Sequence, residues 1–113
     1  MHELGITQNI VAIVNEYAQG AKVSRVVVEI GKLSAIMPEA INFCFDICTQ
    51  STLLAGATLE IIEIPGLAKC RQCGEEFAID KPFGICQCGS VHLDILTGEE
   101  LKIKEIEVEE VCV

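Results

Sequence analysis

The chain has 113 residues, half of them apolar, with Trp absent and a formal net charge of −9. That length suits one small domain plus a metal-stapled module. The acidic balance excludes a phosphate-binding, nucleic-acid role, which needs cationic side chains. No run reaches the roughly 18 apolar residues that span a membrane, and Met1-His2-Glu3 lacks a basic leader, so neither a membrane anchor nor a secretory signal is expected. The odd number of cysteines, 7, and their clustering fit a reducing cytoplasm better than a disulfide framework.

Met1-His2-Glu3 comes first in the chain. An α-amine, the His2 amide and the His2 imidazole can chelate one ion, and Glu3 can add its amide or carboxylate. Such a nitrogen-rich set suits Ni(II) or Cu(II), whereas a solvated histidine is the bland alternative. Residues 4–18 then predict a helix, with Leu4, Ile6, Ile10, Val11, Ile13, Val14 and Tyr17 along its apolar stripe. Residues 23–31 predict a strand, with Val26, Val28 and Ile30 on one face and Val27 and Glu29 on the other.

Pro38 suits the first position of a second helix, expected over 38–50. Ile41, Cys44, Phe45 and Cys48 form its buried face, widened by Phe43 and Ile47. Cys44 and Cys48 read as small core hydrophobes, with a metal or redox pair as the sharper alternative. Residues 58–64 predict a second strand, closed by Pro65-Gly66. Residues 99–110 predict a third, with a bulge at Glu105-Ile106, where the apolar parity shifts. Cys112 falls in the tail and receives no role.

Between these strands lie Cys70-Arg71-Gln72-Cys73-Gly74 and Cys86-Gln87-Cys88-Gly89. Two close cysteine pairs joined by a short loop can place four sulfurs around Zn(II), although the second pair is Cys-x-Cys rather than Cys-x-x-Cys. Iron in a rubredoxin-like site, a disulfide and redox thiols are the alternatives. A hairpin strand is expected over 75–79, with Phe77 and Phe83 covering the metal–sulfur core. His92 reads as a solvated residue or a spare donor. The expected fold is α+β: a three-stranded mixed sheet with two helices, plus a small zinc-ribbon-like insert. Residues 1–65 and 98–113 would make the body, and 66–97 the zinc-binding insert.

In Met1-His2-Glu3, Val27-Val28-Glu29-Ile30-Gly31-Lys32-Leu33-Ser34, Pro38-Glu39-Ala40, the cysteine block, and Gly98-Glu99-Glu100-Leu101-Lys102-Ile103, the chain resembles the HypA/HybF family of hydrogenase-maturation nickel metallochaperones. The resemblance implies Ni(II) as cargo bound by Met1, His2 and Glu3, and structural Zn(II) held by Cys70, Cys73, Cys86 and Cys88. The family pattern at the second pair is Cys-Pro-x-Cys-Gly-Ser. Here Ile85 stands at the usual cysteine and Cys86 at the proline, so Cys86 must reach from a shifted place.

The implied protein is not an enzyme. It is a cytoplasmic carrier working with the GTPase of the same pathway (HypB) and the precursor of a [NiFe] hydrogenase large subunit, with no nucleic acid or membrane partner; a homodimer is a possible assembly. The competing function is a zinc-ribbon interaction adaptor without nickel delivery.

Overall fold

The computed structural model describes residues 2–109. Met1, as an expected nickel donor, and Cys112 lie outside the described residues. Eight elements follow in order: α1 (Glu3–Tyr17), β1 (Val23–Gly31), α2 (Pro38–Cys48), β2 (Thr58–Ile64), β3 (Gly66–Cys70), β4 (Glu76–Ile79), β5 (Leu93–Thr97) and β6 (Leu101–Val108). They form two three-stranded sheets, ordered β2-β1-β6 and β4-β3-β5. The chain divides into two compact units, 1–28, 37–62 and 102–113 in the first, 29–36 and 63–101 in the second. No helix among the described residues is long and apolar enough to cross a membrane.

The first unit contains both helices and most of the β2-β1-β6 sheet. β1 runs antiparallel to β6. Glu109 N–H donates to Lys22 O at one end and Gly31 N–H to Glu100 O at the other. Lys22 and Gly31 are an odd number of positions apart, whereas a regular antiparallel ladder bonds alternate residues, so the pairing is interrupted between these two bonds. Ile103 and Ile106 are each half-buried, and both line one groove with Ile13, Val14 and Tyr17 of α1, as a bulge at Glu105-Ile106 would have them do. β2 runs parallel to β1: Arg25 pairs with Glu60, and further along both strands Lys32 N–H donates to Ile64 O. This gives the mixed sheet, with α2 in the connection between its parallel strands.

Ile10, Val11 and Val14 of α1, Ile41 and Phe45 of α2, and Val26, Val27 and Val28 of β1 are among the buried side chains of this unit. Three consecutive buried valines mean that β1 is closed on both faces, as a central strand must be.

The helical stripes are narrower than the periodicity suggests. Leu4, Ile13 and Tyr17 are exposed on α1, and so are Phe43, at 72 %, and Ile47, at 53 %, on α2. Each lies to the side of the buried line, where a helix packed along only one face leaves apolar residues in water. Thr7 and Thr49 take core positions because each hydroxyl donates to the carbonyl four residues back, at 2.7 and 2.8 Å. A buried hydroxyl that is satisfied in this way costs little.

The second unit holds the β4-β3-β5 sheet. β3 pairs antiparallel with β4, from Gly66 opposite Ile79 to Lys69 opposite Glu76, and antiparallel with β5, ending at Cys70 opposite Leu93. β3 and β5 sit where the sequence suggested only insert loop. Gly66 and Gly98 approach so closely that a Cβ on Gly98 would stand 2.8 Å from the Gly66 Cα and from Leu33.

Candidate metal centres

Two loops at one end of the β4-β3-β5 sheet carry the cysteines. In the first, Gly74 N–H donates to Cys70 O at 2.9 Å and Cys70 N–H to Glu75 O at 2.8 Å. In the second, Gly89 N–H donates to Cys86 O at 2.8 Å and Cys86 N–H to Ser90 O at 2.9 Å. Both turns close on a glycine with positive φ, +78° at Gly74 and +91° at Gly89, which a side chain would strain. The second turn is one residue shorter and closes with an i→i+3 rather than an i→i+4 bond, which is how a Cys-x-Cys pair closes a turn of the same kind. Arg71 N–H donates to His92 O at 2.9 Å, and the Arg71 guanidinium meets Asp94 at 2.7 Å, tying the first loop to the start of β5.

The sulfurs of Cys70, Cys73, Cys86 and Cys88 all lie within 4.8 Å of one another. Cys70 Sγ is 3.6 Å from Cys88 Sγ, and Cys73 Sγ is 3.4 Å from Cys86 Sγ. A tetrahedral zinc with Zn–S bonds of about 2.3 Å requires edges of about 3.8 Å, so the four thiols fit such an ion closely. A disulfide needs sulfurs about 2.05 Å apart, and all four are free thiols. Cys86 is in the set despite its shifted place, and the exposed His92 is not.

Cys70 and Cys86 are buried, whereas Cys73 and Cys88 are exposed. The cluster thus has an inner and an outer side. Phe83, expected to cover it, is 69 % exposed, and only Phe77 is half-buried. Phe83 lies beyond β4, outside the paired sheet that would turn its ring inward.

Charge is distributed unevenly over the four thiols. The backbone N–H groups of Cys73 and Gln72 point at the Cys70 sulfur and draw its thiol down to about 6, against burial. Backbone N–H groups also face Cys73, Cys86 and Cys88, but burial and protons shared with neighbouring sulfurs outweigh them and push these thiols up.

The N-terminal candidates sit at the start of α1 in the first unit. His2 is the N-cap residue, and its side chain makes no capping bond. It is exposed, and its carbonyl accepts the first intrahelical bond, from Ile6 N–H at 3.0 Å. The helix starts at Glu3, one residue earlier than expected. Glu3 is only 7 % exposed; its carboxylate accepts from the N–H of Met37, the N-cap of α2, at 3.2 Å. Its carbonyl accepts from Thr7 Oγ1. The Met37 N–H contact was not legible in the sequence, because a backbone donor 34 residues away leaves no residue-type signal.

Two curated cyanobacterial proteins, each named Hydrogenase maturation factor HypA, align over the whole of both chains: that of Trichormus variabilis at 83 % identity and that of Nostoc sp. at 80 %. The solution structure of the Ni metallochaperone HypA from Helicobacter pylori matches at a TM-score of 0.67 and 27 % identity, over 96 % of this chain and 97 % of that one. A second solution structure, of a HypA protein, matches over the same shares at a TM-score of 0.70 and 29 % identity. A family model described as hydrogenase/urease nickel incorporation, metallochaperone, matches residues 1–108, and the chain belongs to this HypA family of nickel-incorporation metallochaperones that serve hydrogenase maturation.

Proposed function

We propose that this chain binds Ni(II) at its N-terminus through the Met1 amine, the amide and imidazole of His2, and Glu3, and releases it to the precursor of a [NiFe] hydrogenase large subunit with the help of the pathway's GTPase. The observation that carries this is the exposed His2 at the N-cap of a helix whose first residue, Glu3, is locked to the N-terminus of α2. Its amide and imidazole stand at the mouth of a rigid element, where a partner's ligand can attack the metal without unfolding the donor.

The helix macrodipole places about half a positive charge at this end, which favours loss of an amide proton and so a nitrogen-rich, square-planar donor set. With its carboxylate engaged by Met37, Glu3 serves best through its backbone, the side chain acting as a tether. The chain would then carry its metal unchanged rather than transform a substrate, and work in the cytoplasm. Cys70, Cys73, Cys86 and Cys88 would hold structural Zn(II), which is without redox chemistry and fixes the two loops relative to β3 and β5.

Calorimetric titration of the zinc-loaded protein with Ni(II) tests this. His2→Ala and a variant extended by one residue before Met1 should both lose the tight site. Glu3→Gln, which keeps a side-chain acceptor for Met37, should bind nickel like the parent. Parent-like binding by the first two variants would place the nickel elsewhere.

A further inference from the structure

α2 carries two cysteines that neither metal site uses. Cys44 and Cys48 stand four residues apart on that helix, and both are half-buried free thiols. Four-residue spacing stacks two side chains on one helical face with Cβ atoms about 5–6 Å apart. A disulfide needs Cβ atoms about 3.5–4.5 Å apart, so an intact α2 disfavours that bond. One ion held between two sulfurs spans the longer gap.

The surroundings select the ion. Among the described residues, the only group of three or more His, Cys, Asp or Glu donors close enough to share an ion is the Cys70-Cys73-Cys86-Cys88 cluster. Among the described residues, Cys44 and Cys48 therefore share no third donor of those types. Zinc and nickel, which fill four positions, are poorly served by two sulfurs, while Cu(I) is a soft ion that thiolates select. Cys48 also lines a mixed groove, with Leu4, Val11 and Ile47 among its apolar residues and Gln8, Asn15 and Thr52 among its polar ones. Burial and then the neighbouring Cys44 push the Cys48 thiol up, so the entering cation must be thiophilic enough to displace protons.

We propose that Cys44 and Cys48 form a two-thiolate site for a soft monovalent cation of the Cu(I) class, separate from the four-cysteine cluster. Binding forms two Cu–S bonds, breaks two S–H bonds and releases both protons to solvent. Copper enters and stays as Cu(I), with no electron transferred.

The test uses the full-length zinc-loaded protein, titrated anaerobically with Cu(I) against a chromophoric Cu(I) chelator, with copper and zinc both counted by elemental analysis. The parent should take one Cu(I) per chain and keep its zinc. Cys44→Ser and Cys48→Ser should each weaken copper binding by at least about tenfold, and the double variant should abolish it. On the unmutated protein, Cu(I) should protect Cys44 and Cys48 from alkylation as mapped by mass spectrometry, which is independent of how well the variants fold. No copper uptake by the parent, uptake matched by zinc loss, copper retained by the double variant, or unprotected Cys44 and Cys48 would each overturn the proposal.

Discussion

Zinc binding should release about three protons per ion at pH 7.5, because Cys70 is already a thiolate in the folded loops while Cys73, Cys86 and Cys88 are still thiols. The sign follows from ligation. Only thiolates bind zinc, so every thiol still protonated must give up its proton, and acid opposes binding. Above the Cys70 value of about 6, and until the other three ionise, apparent affinity should fall about a thousandfold per pH unit of acidification. Below it a fourth proton joins, and the fall steepens to about ten-thousandfold per unit.

Calorimetric zinc titrations in buffers of different ionisation enthalpy count these protons directly. Two variants sharpen the test. Cys70→Ser removes the ligand that carries no proton, so the count should stay near three while affinity drops; Cys73→Ser removes a protonated ligand, and the count should drop to about two. Four protons released by the parent at pH 7.5, or equal counts for the two variants, would refute the assignment of the low value to Cys70 and with it the role of the Gln72 and Cys73 N–H groups.

Gly98→Ala should cost about 2–5 kcal/mol in urea unfolding, combining a φ of +113° with contacts of 2.8 Å to Gly66 and Leu33, whereas Gly84→Ala, whose nearest neighbours stand at 3.7 Å, should change stability by under about 1 kcal/mol. Equal effects from the two would dismiss the close approach of Gly98 to Gly66. Ile41→Ala, at a fully buried position, should cost about 2–5 kcal/mol, while Phe43→Ala, 72 % exposed on the same helix, should stay within roughly 0.5 kcal/mol; the same denaturation curves decide between a narrow buried line on α2 and the wider one its periodicity suggests.

Much of the fold was legible from local pattern. β1 and β2 have the expected bounds because their β-branched runs end at Gly31 and at Pro65. α2 starts at Pro38, whose fixed φ suits a first helical position. β3 and β5 were missed because Gly66–Cys70 and Leu93–Thr97 are short, and pairing in the β4-β3-β5 sheet makes strands of them.

By itself the sequence determined which residue types could bind metal and in what spacing: His2 beside Glu3, and two cysteine pairs each followed by glycine. Those are local properties, carried by covalent neighbours and by the φ that glycine permits. That Cys86 joins the other three sulfurs was decided only by the tertiary structure, since a shorter turn closing through Gly89 N–H has to bring its sulfur to 3.4 Å from that of Cys73. The same holds for the contact of the Glu3 carboxylate with the Met37 N–H, which only the fold brings to it. Distances between groups far apart in sequence follow from how the whole chain packs, and no spacing along the chain encodes them.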